Sequence, residues 1–307
     1  MTNFELWGDS LLESDWFKTL NSALFGCKAH KIGPRGKNPK HIEKLVLYDR
    51  PDIILCRKDR PILVLEKTRE VPTGHNIGQR LGRVVRALEC STPVLTVIPF
   101  RARKHGTHTS ICEINPRVLR SAIKMGNLHD TPCLFLDWQT DIQGELIGDG
   151  SSAKGLKNVV DSALKANCNL KNFEVKKVLS TMETCADKLE KDHPPYLKPP
   201  GSVTFETIPA TIEHSKHRRF CVYKINMSKN ACRREDPYTG MQFLYDYLYC
   251  RHGTLVHEKS VALVLSFPNL TRHDFETSNP NNPHRKSCLW YATANELWFS
   301  DQRVVLR

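Results

Sequence analysis

The sequence predicts an α/β protein with a mixed central sheet flanked by helices, followed by an additional α+β C-terminal region. Up to residue 137, short apolar segments rich in β-branched residues alternate with longer segments of helical periodicity, which is the pattern of an α/β sheet. Two apolar segments, residues 53–55 and 62–65, are separated only by a short charged turn and therefore form an antiparallel hairpin. A hairpin among strands that are otherwise joined by helices makes the sheet mixed.

The elements within residues 1–147, the first predicted domain, each follow from a local pattern. Apolar residues at every fourth position predict a first helix, and a single apolar stripe predicts a second one after the hairpin. The apolar run after the second helix is typical of a strand buried on both faces. The predicted order is helix 10–25, strand 44–48, the two hairpin strands, helix 77–88, strand 92–99, a basic loop at 100–106, helix 114–125 and strand 132–137.

The composition changes beyond residue 147, where two further regions are predicted. Residues 148–201 form a helical connector with a Gly- and Ser-rich hinge and a stiff Pro-rich linker. Residues 202–307 form the α+β region. The predicted elements are helices 153–167 and 173–191 in the connector, then strands 202–207, 220–226, 261–267 and 289–292, and a helix from Asp236 and Pro237 through residue 249.

The bulk composition indicates a globular protein that binds a polyanion. Hydrophobic residues make up 40% of the chain and charged residues 25%. No apolar run is long enough to span a membrane and no signal peptide is visible, so we expect neither a membrane protein nor an exported one. Eleven cysteines without a Cys-x-x-Cys pair suit reduced thiols in the cytoplasm. The net charge of +12 favours nucleic acid as the partner.

The hairpin carries an acid at each end. Asp52 precedes its first strand and Glu66 ends its second, and an antiparallel pair joined by a short turn places these ends side by side. Converging carboxylates repel each other unless a divalent cation lies between them, and oxygen ligands suit Mg²⁺ or Mn²⁺ rather than zinc. The sequence therefore predicts a metal site at Asp52 and Glu66. The structural alternative is that Pro51 and Asp52 are a turn signal and Glu66 belongs to a solvated strand end.

Glu13 allows two interpretations. It lies in the first turn of helix 10–25, where the helix dipole favours an acid, and this predicts a capping role. It is also a candidate for a contribution to the metal site.

Basic side chains cluster in loops and on one helix face rather than in one tail. Gln79 and Arg80 lie in the helix that follows Glu66, so we expect them near the carboxylates and in reach of a phosphate. For contacts to the backbone of a nucleic acid we predict Arg35, Lys37, Arg83 and Lys104.

The order of helices and strands, Pro51 followed by Asp52, and the acid that ends the next strand together resemble the PD-(D/E)XK nuclease superfamily, whose largest group is the restriction endonucleases. The resemblance covers roughly residues 10–140 and implies a restriction-endonuclease-like αβββαβ core. It implies that Asp52 and Glu66 match the two metal-binding acids of the family. In the family these acids hold one or two Mg²⁺ ions, which polarise the scissile phosphate and generate hydroxide from a bound water.

The third residue of the family is a lysine two positions after the second acid, and here that position is Thr68. Glu66 and Thr68 share one face of a strand, whereas Lys67 points to the other. One explanation is that the hydroxyl of Thr68 positions water while the positive charge comes from Arg80 or from the arginines near Gln79. Alternatively, a β-bulge brings Lys67 into the site, or the protein has lost catalysis and kept DNA binding. We favour the first explanation, which gives Asp52, Glu66, Thr68, Gln79 and Arg80 as the catalytic set.

Two sets of His and Cys residues share a spacing that also fits a structural zinc. They are His105, His108 and Cys112, and His214, His217 and Cys221. With thirteen histidines and eleven cysteines in the chain, we favour coincidence over a zinc site, and histidines in basic loops suit contacts with phosphates.

The expected function is that of a Mg²⁺-dependent endonuclease that cuts double-stranded DNA, with a role in restriction. Residues 1–147 would carry the chemistry and residues 202–307 recognition, dimerisation or both. Because cutting both strands of a duplex requires two active sites, we expect a homodimer. The alternatives are a nuclease of the same core in repair, recombination or RNA cleavage, and a DNA-binding protein without catalysis.

Overall fold

The computed structural model describes residues 3–34, 36–47, 49–72, 76–77, 80–103, 110–192, 203–209, 219–225, 261–278 and 295–305. The chain divides into two compact units, of which the first ends at Pro194 and the second begins at Pro195. The predicted fold class is confirmed, because a mixed central sheet with flanking helices forms the first unit and a smaller sheet forms the second.

Six of the described strands build the central sheet of the first unit, in the order β2-β1-β3-β4-β5-β8. Strand β3 is antiparallel to both of its neighbours, β1 and β4. Strands β4, β5 and β8 run parallel to one another. Strands β6 and β7 form a separate antiparallel ribbon. The bounds are β1 (Phe4–Gly8), β2 (Lys28–Lys31), β3 (Ile53–Arg57), β4 (Arg60–Lys67), β5 (Val94–Ile98), β6 (Arg101–Arg103), β7 (Ile111–Glu113) and β8 (Cys133–Asp137).

Helices cover the sheet and bury its apolar central strands. The first helix packs against β1 to β3, the third against β5, and the fourth and sixth against β8. Every residue of β5 is buried, as expected for a parallel strand covered on both faces. The bounds are α1 (Leu11–Lys18), a 3₁₀ turn (Ser22–Leu24), α2 (Lys40–Leu45), α3 (Leu81–Glu89), α4 (Pro116–Leu128), α5 (Leu156–Leu164) and α6 (Phe173–Asp192).

The prediction of a strand at residues 44–48 is wrong. Lys44 and Leu45 end helix α2, whose buried residues Ile42 and Leu45 are three positions apart, as on one face of a helix. The strand that pairs with β3 on this side of the hairpin is β1, which precedes α1 in the chain. The predicted basic loop at 100–106 also begins as a strand, β6, which is paired with β7.

The two helices that we assigned to a connector, α5 and α6, belong to the first unit. Helix α5 contacts β4, and α6 contacts α4 and β8. Apolar side chains such as Val160 and Met182 are fully buried in these contacts. Ion pairs from Arg120 on α4 to Asp187 and Glu190 on α6 strengthen the second contact. The apolar faces of both helices therefore complete the core of the first unit.

Five of the described strands form the sheet of the second unit, in the order β13-β12-β11-β10-β9. Strands β9, β10 and β11 confirm the three predicted strands at 202–207, 220–226 and 261–267. The predicted strand 289–292 and the predicted helix that begins at Asp236 lie outside the described residues. The bounds are β9 (Val203–Pro209), β10 (Arg219–Ile225), β11 (Val261–Phe267), α7 (Arg272–Ser278), β12 (Glu296–Phe299) and β13 (Arg303–Val305).

Across the described ranges of the chain, none of the helices combines the length and the apolar character needed to cross a bilayer.

Candidate active site

The two acids of the hairpin converge at one edge of the central sheet. In the β3–β4 ladder Ile53 pairs with Leu65, so Asp52 and Glu66 are neighbours immediately beyond the pairing. Asp52 Oδ2 accepts a hydrogen bond from the backbone N–H of Lys67 at 2.6 Å, which fixes the carboxylate against the end of β4. One nitrogen of Arg83, Nη1, lies 2.5 Å from Glu66 Oε1 and 3.5 Å from Asp52 Oδ1. The two carboxylates therefore face the same point.

That point is filled by the guanidinium of Arg83, which extends from α3. Its Nε donates to Asp49 Oδ2 at 2.7 Å, so three carboxylates surround one cation. The Arg83 side chain is only 15% exposed. Burial lowers the pKa of Arg83, but the attraction of Glu66 and Asp49 outweighs burial and holds that pKa above its ordinary value. Arg83 is therefore a permanent positive charge within the acid cluster.

Glu66 is the most deeply buried member of the cluster, at 1% exposure. Its Oε1 is 3.2 Å from Arg80 Nε, while Arg80 Nη1 donates to the backbone oxygen of Asn76. Its second oxygen, Oε2, has no hydrogen-bond partner among the described residues. A buried carboxylate oxygen without a partner is costly unless a cation or a water satisfies it. This oxygen fits the ligand set of Mg²⁺ or Mn²⁺.

The pKa of Asp52 is raised from its ordinary value of 3.8 to about 8. Burial is the main cause, and the negative charge of Glu66 adds to it. The hydrogen bond from the Lys67 N–H and the charge of Arg83 act in the opposite direction but are weaker. Without a metal ion, Asp52 therefore carries a proton at neutral pH.

We expect the Asp52 proton to make the stability of the metal-free protein depend on pH. Asp52 has the higher pKa when folded, so the folded state binds more protons between pH of about 4 and about 8. The free energy of unfolding of the wild type, minus that of Asp52→Asn, should therefore fall as the pH rises through this window and be constant on either side. Urea denaturation of both proteins in the presence of a chelator at pH 5, 6.5 and 8.5 measures this difference. A difference that is flat or rises with pH would contradict the raised pKa.

Lys67 and Thr68 lie on opposite faces of the sheet, as the alternation of a strand requires. The Nζ of Lys67 is 3.8 Å from the centre of the Trp16 ring on α1, and burial lowers its pKa. Pairing of β4 with β5 is regular through Lys67, and the irregularity of the hairpin is between Leu55 and Cys56. The explanation in which a bulge turns Lys67 toward Glu66 is therefore wrong.

Thr68 lies on the face of Glu66 and is buried. Its backbone N–H donates to Val97 O, and its Oγ1 accepts a hydrogen bond from the N–H of Glu70 at 3.1 Å. These contacts fix the hydroxyl at the end of β4. The positive groups beside Glu66 are Arg83 on α3 and Arg80, the residue immediately before that helix. A catalytic role of Arg80 stays a prediction.

Glu13 has the predicted capping role. It is the third residue of α1, where its Oε2 accepts from the N–H of Ser10, and the Ser10 hydroxyl accepts from the N–H of Glu13. Its charge also adds to the raised pKa of Asp52, so the two acids are near each other. Within the described part of the chain, no group of three or more His, Cys, Asp or Glu side chains is placed to hold a metal ion. A share of Glu13 in metal binding stays a prediction.

The remaining predicted residues divide into three groups. Lys37 is exposed to solvent. Arg83 was predicted to contact a nucleic acid backbone, but in this structure its guanidinium is engaged by carboxylates. Arg35, Gln79 and Lys104 lie outside the described residues, as do the four histidines of the possible zinc sets. Asp49 was not predicted from the sequence, because its position depends on the irregular segment that follows α2.

No model of a known protein family, no curated protein and no solved structure matches the chain.

Proposed function

We propose that the chain is a Mg²⁺-dependent endonuclease that hydrolyses phosphodiester bonds of double-stranded DNA, most simply as a restriction enzyme. One observation carries this proposal. Asp52 and Glu66 converge at the edge of a rigid sheet, and Glu66 keeps one buried oxygen without a partner among the described residues. Hard oxygen ligands in this arrangement suit Mg²⁺, which completes its coordination with waters and substrate oxygens.

Asp52 and Glu66 would hold the Mg²⁺ ion, with Mn²⁺ as a possible substitute. Such an ion would polarise the scissile phosphate and lower the pKa of a bound water. Asp52 would have to release its proton to act as a ligand, and the positive charge of the ion would offset the burial and the repulsion from Glu66 that raise the pKa of Asp52. Thr68 presents its hydroxyl on the same face to orient the attacking water, and Arg80 places a positive charge where the transition state gains negative charge.

The charge of the chain supports DNA as the substrate. The net charge is +12, and a polyanion attracts such a protein independently of base sequence. The exposed Lys37, together with Arg35 and Lys104, is proposed to contact phosphates. Two copies of the chain would supply the two active sites that cleavage of a duplex requires. We place this activity in the cytoplasm, where free cysteines such as Cys90 and Cys112 stay reduced.

Digestion of a supercoiled plasmid tests the function. The full chain with Mg²⁺ is expected to produce discrete fragments, and the same protein with a chelator none. A smear would indicate a nuclease without sequence preference. If an RNA tested in parallel is cleaved and the plasmid is not, the substrate is RNA. Absence of cleavage with every DNA tested, together with a gel shift, would favour a DNA-binding protein without catalysis. DNA binding without catalysis is the second candidate function because Thr68 replaces the lysine of the nuclease superfamily.

The residue that replaces the family lysine can be identified by two substitutions. Arg80→Met is expected to lower the rate of cleavage at saturating DNA by about 10²-fold, because it removes a positive group beside Glu66. Lys67→Met is expected to lower it by less than about tenfold, because Lys67 lies on the opposite face of the strand. Single-turnover rates separate the two effects from DNA affinity. A larger loss in Lys67→Met than in Arg80→Met would reverse this assignment.

A further inference from the structure

The cleft between the two acids already contains a cation that belongs to the chain. Arg83 Nη1 lies 2.5 Å from Glu66 Oε1 and 3.5 Å from Asp52 Oδ1. These are the same two side chains that are proposed to hold Mg²⁺. A metal ion bound to Glu66 Oε1 and Asp52 Oδ1 would occupy the space of this guanidinium nitrogen, and two cations this close would repel each other.

A second contact gives Arg83 an alternative position. Its Nε donates to Asp49 Oδ2 at 2.7 Å, and the Asp49 side chain is 28% exposed. Because Nε and Nη1 bond to different carboxylates, the guanidinium can release Glu66 and remain bonded to Asp49. Movement of Arg83 toward the more exposed Asp49 would therefore open the site without leaving the guanidinium unpaired.

We propose that Arg83 is a resident counter-cation of Asp52 and Glu66, and that Mg²⁺ binds by displacing it toward Asp49. The inference rests on the proposed metal-dependent function and extends it. Arg83 keeps the acids together before the metal arrives and sets the metal concentration at which the site fills. An arginine with only a structural role would not compete with the metal, so its removal would leave metal affinity unchanged or weaken it.

The test is a calorimetric titration of MgCl₂ into the metal-free full-length protein and three variants, with circular dichroism as a check of folding. Arg83→Met is expected to bind Mg²⁺ at least about tenfold more tightly than the wild type, because it removes a positive charge that contacts both proposed ligands, Glu66 and Asp52. Arg83→Lys keeps the charge but cannot hold Glu66 and Asp49 at once, so a gain of about threefold is expected. Arg86→Met, one turn along the same helix, removes an equal charge from a pair with Glu89 and should leave the affinity unchanged.

The outcomes separate this inference from the function on which it rests. Wild-type binding of Mg²⁺ with equal or weaker binding by Arg83→Met would overturn the displacement of Arg83 and leave the metal site intact. An equal gain in Arg86→Met would also overturn it, because the effect would then be a general one of net charge. No binding by any of the proteins would remove both the metal site and the inference. Should Arg83→Met fail to fold, Arg83→Lys takes its place. Tighter Mg²⁺ binding by Arg83→Lys than by the wild type and Arg86→Met would support the displacement of Arg83, and equal or weaker binding would overturn it.

Discussion

Asp52→Asn and Glu66→Gln are each expected to lower the rate of Mg²⁺-dependent DNA cleavage by about 10³-fold or more. Each substitution replaces one of the two carboxylates that converge on the proposed metal position. A bound divalent ion contributes several kcal/mol of charge stabilisation in the transition state, and each 1.36 kcal/mol corresponds to a factor of ten in rate. Cleavage of a plasmid under single-turnover conditions measures the loss, and Mn²⁺ can be added to search for partial rescue.

The same hairpin provides a matched control. Asp59 is an exposed acid in the turn between β3 and β4, so Asp59→Asn removes one negative charge without touching the site. We expect Asp59→Asn to cut at the rate of the wild type, and all three variants to shift DNA in a gel when metal is absent. Should Asp52→Asn and Glu66→Gln both cut as fast as Asp59→Asn, the assignment of the metal site to this hairpin is wrong.

The convergence of Asp52 and Glu66 could be predicted because it depends only on local geometry. A short turn between β3 and β4 brings the ends of both strands together. The shift of register between Leu55 and Cys56, which the sequence did not predict, then places Asp52 beside Glu66 rather than beside Leu65. The faces of Lys67 and Thr68 follow from the alternation of the same strand. These inferences required no knowledge of any other part of the chain.

The role of Arg83 could not be predicted with the same reasoning. Helical spacing shows that Arg80 and Arg83 share one side of α3, but the spacing does not show how the helix is rotated against the sheet. Charged residues at this spacing are usually solvated, and we therefore assigned Arg83 to contacts with nucleic acid. The usable signal was that Glu66 directly follows the apolar residues 62–65, because a carboxylate buried at the end of such a strand requires a nearby cation.

The first strand was misplaced because short apolar runs are ambiguous. Leu45, Val46 and Leu47 are consecutive apolar residues, which fit the end of a buried helix as well as a strand. The strand that pairs with β3 on the side opposite β4 is β1, whose five residues include a glycine and show little alternation. Pairing in the sheet, rather than local preference, determines which of the two segments becomes the strand.

Arg83→Met is expected to lower the free energy of unfolding of the metal-free protein by about 3–5 kcal/mol, because it leaves the buried charge of Glu66 without its closest partner. The double variant Arg83→Met/Glu66→Met removes both charges and should be at least about 2 kcal/mol more stable than Arg83→Met alone. The double-mutant cycle consists of the wild type, Arg83→Met, Glu66→Met and the double variant. Urea denaturation at pH 6, where Asp52 carries its proton, measures the free energy of unfolding of all four proteins. A protein of ordinary stability would still fold with the single substitution.

The pair of Arg86 and Glu89 on the same helix is the control for this cycle. Its atoms are 2.8 Å apart and its two side chains are 19% and 22% exposed, so the carboxylate left by Arg86→Met can reach water, whereas Glu66 is 1% exposed. We therefore expect Arg86→Met to cost far less than Arg83→Met. An equal cost, or a double variant no more stable than Arg83→Met, would show that Glu66 does not depend on Arg83. The acids would then have to be stabilised by other neighbours, and the competition between Arg83 and Mg²⁺ would lose its electrostatic basis.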